Sequence, residues 1–203
     1  MYKNVIVVGA GGHAKVIADI VRKSGDNLIG FLDDHKEPGS AFFEGFILGD
    51  TESYGEYPDA QFIIAIGNND IRETISKKMG DVSFYTAIHP TAVIGEGVTI
   101  GEGSAVMANA VINADAAIGA HCIINTASVV EHDGKLASFV HVSPGAALAG
   151  TVSLGERAHI GIGAKIIQNL EICADVLVGA GGVVTTSITE PGTYVGVPVR
   201  KVK

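Results

Sequence analysis

The sequence predicts two successive architectures: a small α/β unit with a parallel sheet, then a triangular prism of short strands that ends in a tail. Three observations carry this expectation. Aliphatic residues recur every six positions from Ile88 onward, aromatics nearly vanish over the same stretch, and apolar runs alternate with helical patterns before it. Of seven Phe and five Tyr, only Phe139 lies between residues 88 and 188. A wide core and a narrow one are being packed in turn.

In the first part Val5 to Val8 reads as a strand, Ala14 to Lys23 as a helix, Leu28 to Leu32 and Phe62 to Ile66 as strands, and Ile71 to Met79 as a helix. Alternation of this kind builds a parallel sheet with right-handed crossovers. Those crossovers bring Gly9 to His13, Asp33 to Asp34 and Gly67 to Asn69 to the carboxyl ends of the strands, where ligands of open α/β sheets bind. The boundary with the second part is placed between residues 86 and 87.

In the second part the period of six holds at seventeen consecutive aliphatic positions, from Ile88 to Val184. The residue four places further on is small or β-branched, as at Val98, Ser104, Ala110, Ala116 and Cys122. Three hexads close one coil of 18 residues, so residues 18 apart stack in neighbouring coils at roughly 4.8 Å. Thr189 to Lys203, with Pro191, Gly192 and Pro198, is expected to leave the prism as a tail.

Composition narrows the class further. The 203 residues are 47% hydrophobic and 18% charged, enough for a packed core and against disorder. Gly numbers 27 without a triplet period, which excludes collagen. The apolar runs are far shorter than the roughly 18 residues a bilayer requires, and no signal peptide opens the chain, so the cytoplasm is the expected compartment. A net charge of −8 argues against a nucleic-acid partner. Cys122 and Cys173 lack metal or redox spacing and read as reduced core residues.

Stacking supplies the first chemical candidate. His132 lies between Glu131 and Asp133 at a corner, one coil from Gly150. A carboxylate would fix the imidazole tautomer, and an amide near Gly150 would face a developing oxyanion. The competing reading is a solvated histidine on a turn between two acids.

Asn125-Thr126-Ala127-Ser128-Val129-Val130-Glu131-His132-Asp133 resembles the catalytic segment of hexapeptide-repeat acetyltransferases that act on nucleotide aminosugars, of the bacillosamine and perosamine type, together with their sialic-acid O-acetyltransferase relatives. Val7 to Lys15, Ile64 to Asn69, Phe139 to Gly145 and Ala149-Gly150 resemble the same subgroup. The resemblance implies an N-terminal Rossmann-like α/β domain over 1–86 that binds a nucleotide sugar, a left-handed parallel β-helix over 87–203 that carries the acetyltransferase chemistry, and a homotrimer. It implies His132 as general base, Asp133 as its orienting carboxylate and Gly150 as the amide facing the thioester. Gly9, Gly11, Gly12, His13, Asp33, Asp34, Gly67, Asn68, Asn69 and Asn125 would meet the sugar nucleotide; His141, Gly150, Ile162 and Ala180 would meet acetyl-CoA, with no metal. The implied reaction is N-acetylation of a UDP-4-amino-4,6-dideoxy sugar by direct attack. O-acetylation of a sialic acid or other sugar hydroxyl, and a non-catalytic sugar-nucleotide-binding protein, are the alternatives. Asp133 and Val199 stand where relatives often carry Glu and Ala.

Gly9-Ala10-Gly11-Gly12-His13-Ala14 also fits a relaxed G-x-G-x-x-A fingerprint. Read alone it suggests NAD, or an inert glycine turn. The loop amides favour a phosphate, and Asp33 or Asp34 offers an acceptor to a ribose hydroxyl or a uracil N–H. Lys15, beyond the loop, reads either as a ligand group or as a solvated helix residue. His141 and His159, 18 apart, invite a zinc reading, but a third histidine at matching spacing is lacking.

Overall fold

The computed structural model describes residues 2–203. Two compact units, Met1–Pro90 and Thr91–Lys203, divide the chain. The first extends a few residues past the boundary read from the sequence, with Ser24 Oγ donating to the Ile88 carbonyl at 3.1 Å, and the segment after the second helix is stitched onto a strand. Phe62 N–H donates to the Ser83 carbonyl at 2.9 Å, and Tyr85 N–H to the Phe62 carbonyl at 2.8 Å.

In the first unit β1 (Asn4–Val8), α1 (Gly12–Lys23), β2 (Asn27–Leu32), β3 (Ala41–Phe42), β4 (Gly45–Gly49), β5 (Gln61–Ile64) and α2 (Asn69–Met79) follow one another, with a 3₁₀ turn at Thr51–Glu56. The sheet order is β3-β4-β2-β1-β5, parallel except for the β3–β4 hairpin. Val5 to Val8 in the centre are fully buried, as a strand covered on both faces requires. The hairpin and the 3₁₀ turn lie outside the elements expected from the sequence: two- and five-residue strands around Phe43-Glu44 carry too little periodic pattern.

In the second unit every coil contributes one short strand to each of three flat parallel sheets. One face stacks Val93–Ile94, Val111–Ile112, Val129–Val130, Ala147–Leu148, Lys165–Ile166 and Val183–Val184, each paired with the strand 18 residues on. A second face runs from Thr99–Ile100 to Glu171–Ile172. The third includes Ala105–Val106, Ile123–Ile124, His141–Val142, His159–Ile160 and Val176–Val178. The hexad aliphatics point inward and are buried from Val106 to Val184, while Ile94 in the first coil remains 38% exposed. The small residues four places on, from Ala110 to Ala164, complete the same core.

The corners explain the winding. At all fifteen positions from Gly97 to Gly181, spaced by six, φ lies between 53° and 74°, and ten of the fifteen residues are not glycine. Single left-handed residues are tolerated where each is held by its neighbours. From Asp115 to Gly181 each corner N–H donates to a carbonyl in the preceding coil, as Asp133 does to Ala114 at 3.0 Å and Thr151 to His132 at 2.9 Å. The result is a left-handed parallel β-helix.

The end of the chain corrects one expectation. Rather than leaving the prism, Gly192–Gly196 continues the third face and Val199–Lys201 folds back antiparallel beside it. Val199 is 9% exposed and joins the prism core against Gly182, so its larger side chain closes the end. Cys122 is buried as expected, whereas Cys173 is half-buried and lines a groove on the second face. Among the described residues no helix is long and apolar enough to cross a membrane.

Candidate active site

His132 follows the strand Val129–Val130 and occupies the first position of a corner; Asp133 takes the left-handed second position. That backbone turn swings the carboxylate back to the imidazole, and Asp133 Oδ2 lies 2.7 Å from His132 Nδ1. Nδ1 therefore carries the proton and donates, which leaves the Nε2 lone pair free. Glu131 is committed elsewhere: its Oε2 accepts from Asn113 Nδ2 at 2.8 Å, one coil away. Asp133 is thus the partner that fixes the tautomer. Its hydrogen bond raises the His132 pKa above the ordinary value of 6.5, its charge and that of Glu131 adding to the shift and slight desolvation opposing it.

The ring leans across one coil onto Gly150. A Cβ there would fall 2.6 Å from both Nε2 and Cε1 of His132, closer than any real contact, so only glycine admits this pose. Among the described residues no protein acceptor takes the Gly150 N–H, whereas the Gly150 carbonyl accepts from Asn169 N–H at 3.0 Å. Imidazole and amide stand side by side on one prism edge. A groove of about 340 Å³ opens on the adjoining face, lined among others by Glu131, Ala149, Lys165 and Ile167.

Of the residues expected to meet acetyl-CoA, Gly150 lies beside His132 and the other three fall on other parts of the prism. Ile162, 58% exposed, and Ala180 stack on the edge between the third and first faces. His141 lies on the third face, its ring stacked on His159 with centroids 4.5 Å apart. Asn125 Nδ2 reaches His141 Nε2 at 3.1 Å, and Ser143 Oγ reaches His159 Nε2 at 2.9 Å. Among the described residues no three of His, Cys, Asp and Glu are grouped as metal ligands.

In the α/β unit the three expected loops do meet the ends of adjacent strands, but several side chains brace the loops instead of projecting from them. Asp33 accepts from Ala10 N–H at 2.7 Å and from His35 N–H at 3.0 Å, tying the glycine loop to β2. Asp34 accepts from Thr51 N–H at 2.7 Å, which holds its pKa below the usual range. Asn68 caps α2 through Ile71 N–H. Open space lies instead over Gly11, Gly12 and Gly67, where a Cβ would meet nothing within 4 Å; Gly9 is needed for its φ of 103°.

Arg72 is the residue that sequence reasoning missed. It is 1% exposed, and its guanidinium donates to the carbonyls of Ile66 (2.9 Å) and Gly67 (3.4 Å) and to Asn69 Oδ1 (2.8 Å). It fixes the loop between β5 and α2. Burial, aided by the Arg72 charge, lowers His13 to about 4 and keeps it neutral; its Nε2 is enclosed without a protein partner. One charged residue on a short polar helix gives no pattern to read; the only signal was an Arg on the face shared with buried Ser76 and Met79.

A hexapeptide prism with an imidazole and carboxylate pair on its edge, preceded by a glycine-loop α/β unit, is the architecture of the hexapeptide-repeat acetyltransferases. Residues 4–79 match the family described as the PglD N-terminal domain. The chain belongs to the nucleotide-sugar N-acetyltransferase family of bacillosamine and perosamine type. A crystallised variant of perosamine N-acetyltransferase from Caulobacter crescentus, in complex with CoA and GDP-perosamine, superposes with a TM-score of 0.94 at 39% identity, covering 100% of this chain and 98% of that one. The acetyltransferase domain of PglB from Neisseria gonorrhoeae FA1090, in complex with acetyl coenzyme A, gives 0.94 at 35% identity over the whole of both chains. UDP-N-acetylbacillosamine N-acetyltransferase of Bacillus subtilis (strain 168) is 43% identical over 108 residues, 50% of each protein. The chain spans half the length, or less, of the first curated relatives it matches.

Proposed function

We propose that the chain transfers the acetyl group of acetyl-CoA to the amine of a nucleotide-linked aminosugar, a UDP-4-amino-4,6-dideoxy sugar. The observation that carries this reading is the His132 ring, tethered by Asp133 at 2.7 Å and resting against Gly150. The amine nitrogen attacks the thioester carbonyl while Nε2 takes its proton. The Gly150 N–H donates to the oxyanion of the tetrahedral intermediate. Collapse breaks the carbon–sulfur bond, the thiolate leaves as coenzyme A, and the imidazolium returns the proton to sulfur.

The assembly is a homotrimer. His132 and Gly150 occupy one prism edge, while Ile162 and Ala180 occupy another two-thirds of a coil away, so side-by-side prisms would unite what a single chain holds apart. Cys122 and Cys173, neither of them in a disulfide, fit the cytoplasmic compartment read from the sequence. A thiol-release assay with acetyl-CoA against UDP- and GDP-linked aminosugars and sialic acid tests the reaction. Turnover with sialic acid alone would overturn it, and sedimentation of a fully active monomer would overturn the trimer.

A further inference from the structure

Lys15 and Lys36 come from different elements, α1 and the loop after β2, yet both ammonium groups lie over one ring. Lys15 Nζ is 5.8 Å and Lys36 Nζ 5.4 Å from the Phe42 centroid. The ring is anchored, packing edge-on against Phe31 with centroids 4.8 Å apart at 86°. Neither lysine is ion-paired among the described residues, whereas Lys23, Lys77, Lys78 and Lys201 pair with Asp19, Glu73, Glu52 and Glu190. In a chain with 22 acidic and 14 basic side chains, carboxylates are not scarce. Two like charges over one half-buried ring repel, and the ring face offsets only part of that. Lys15 stands one turn beyond Gly11 and Gly12, where a Cβ would meet nothing within 4 Å.

From this convergence we infer that Lys15 and Lys36 form a two-point clamp on the diphosphate of the nucleotide sugar, with the Phe42 ring holding their ammonium groups in place. The inference rests on the nucleotide-sugar reading above and adds the cations that would set its affinity. A diphosphate between them removes their mutual repulsion and accepts a charge-assisted hydrogen bond from each. Neither lysine is asked to take part in acetyl transfer.

The test is calorimetric titration of the full chain, wild type and the variants K15M, K36M and K15M/K36M, with UDP, with GDP and with coenzyme A. Methionine keeps most of the stem and removes the charge. Each single variant is expected to weaken binding of the accepted nucleoside diphosphate about tenfold, the double variant more, with K15R and K36R restoring much of the loss and added salt narrowing the difference. Coenzyme A affinity and the thermal unfolding midpoint are expected to stay unchanged. Wild type that binds UDP or GDP, with variants that bind it equally well, would overturn the clamp and leave the nucleotide-sugar reading standing. Wild type that binds neither nucleotide would overturn both. A loss of coenzyme A affinity in its place would assign the lysines to the other substrate and equally overturn the clamp.

Discussion

The two units hold their functional groups in place by different physical means. In the prism, position follows from addition: a residue lies above the one 18 places earlier, and each corner from Asn109 onward is fixed by a hydrogen bond to the coil below. In the α/β unit, position depends on single buried polar contacts that join distant or irregular segments, such as Asp33 to Ala10 and Arg72 to Ile66. A site built on a repeat needs few residues to define it and tolerates their loss. A site built on loops owes its shape to buried contacts between segments distant in sequence.

The largest expected effect tests the first half of this contrast. His132→Ala should lower kcat by about 10² to 10⁴ with little change in either KM and leave the unfolding midpoint of the prism in place, because the side chain is 60% exposed. Thiol release and calorimetry measure the two; retained turnover would remove His132 from the role of base. Arg72→Met addresses the other half. It leaves buried carbonyls without a donor, so the α/β unit should lose about 3 kcal/mol and KM for the nucleotide sugar should rise, with coenzyme A binding intact. If coenzyme A binding falls along with it, the two units are not independent in the way the contrast requires.

Gly150→Ala should displace the imidazole and cut kcat about tenfold or more, again with little change in stability. Unchanged turnover would show that the ring need not rest on that glycine. The acid limb of the pH–rate profile should fall above 6.5, since Asp133 raises the His132 pKa and only the neutral ring accepts a proton. Asp133→Asn should move that limb down and cost less than removing His132. A further effect concerns His13. Its folded pKa of about 4 lies below the ordinary 6.5, so the unfolded chain binds the extra proton and stability should decline as pH falls from about 6.5 toward 4. Thermal unfolding followed across that window, flattened in a His13→Asn variant, measures it.

The prism was legible because one chemical property recurs at a fixed interval: Val106 through Val184 are aliphatic because all of them face the same narrow core. Its corners were legible only in part. The left-handed position is filled by residues as unlike as Asn109, His121, Ala127, Phe139 and Arg157, which share a backbone angle and no side-chain chemistry. His132, Asp133 and Gly150 came from stacking plus resemblance, and stacking alone left the partner acid open until Glu131 was found held by Asn113. In the α/β unit the glycine loop was legible from its spacing. The backbone N–H groups that Asp33 and Asn68 serve were not legible, because a sequence names a carboxylate or amide without its partner.

Gly150 has a counterpart at two other places. A Cβ on Gly103 would collide with the His121 ring, and one on Gly97 with the Asp115 carboxylate, again across one coil. Each pair occupies the volume of one side chain, contributed from either coil but never from both. The imidazole of residue 132 and the glycine at 150 are therefore sterically one unit. A sequence that enlarges residue 150 must give up the pose of residue 132, and one that moves the imidazole to another coil must clear a glycine 18 residues from its new position.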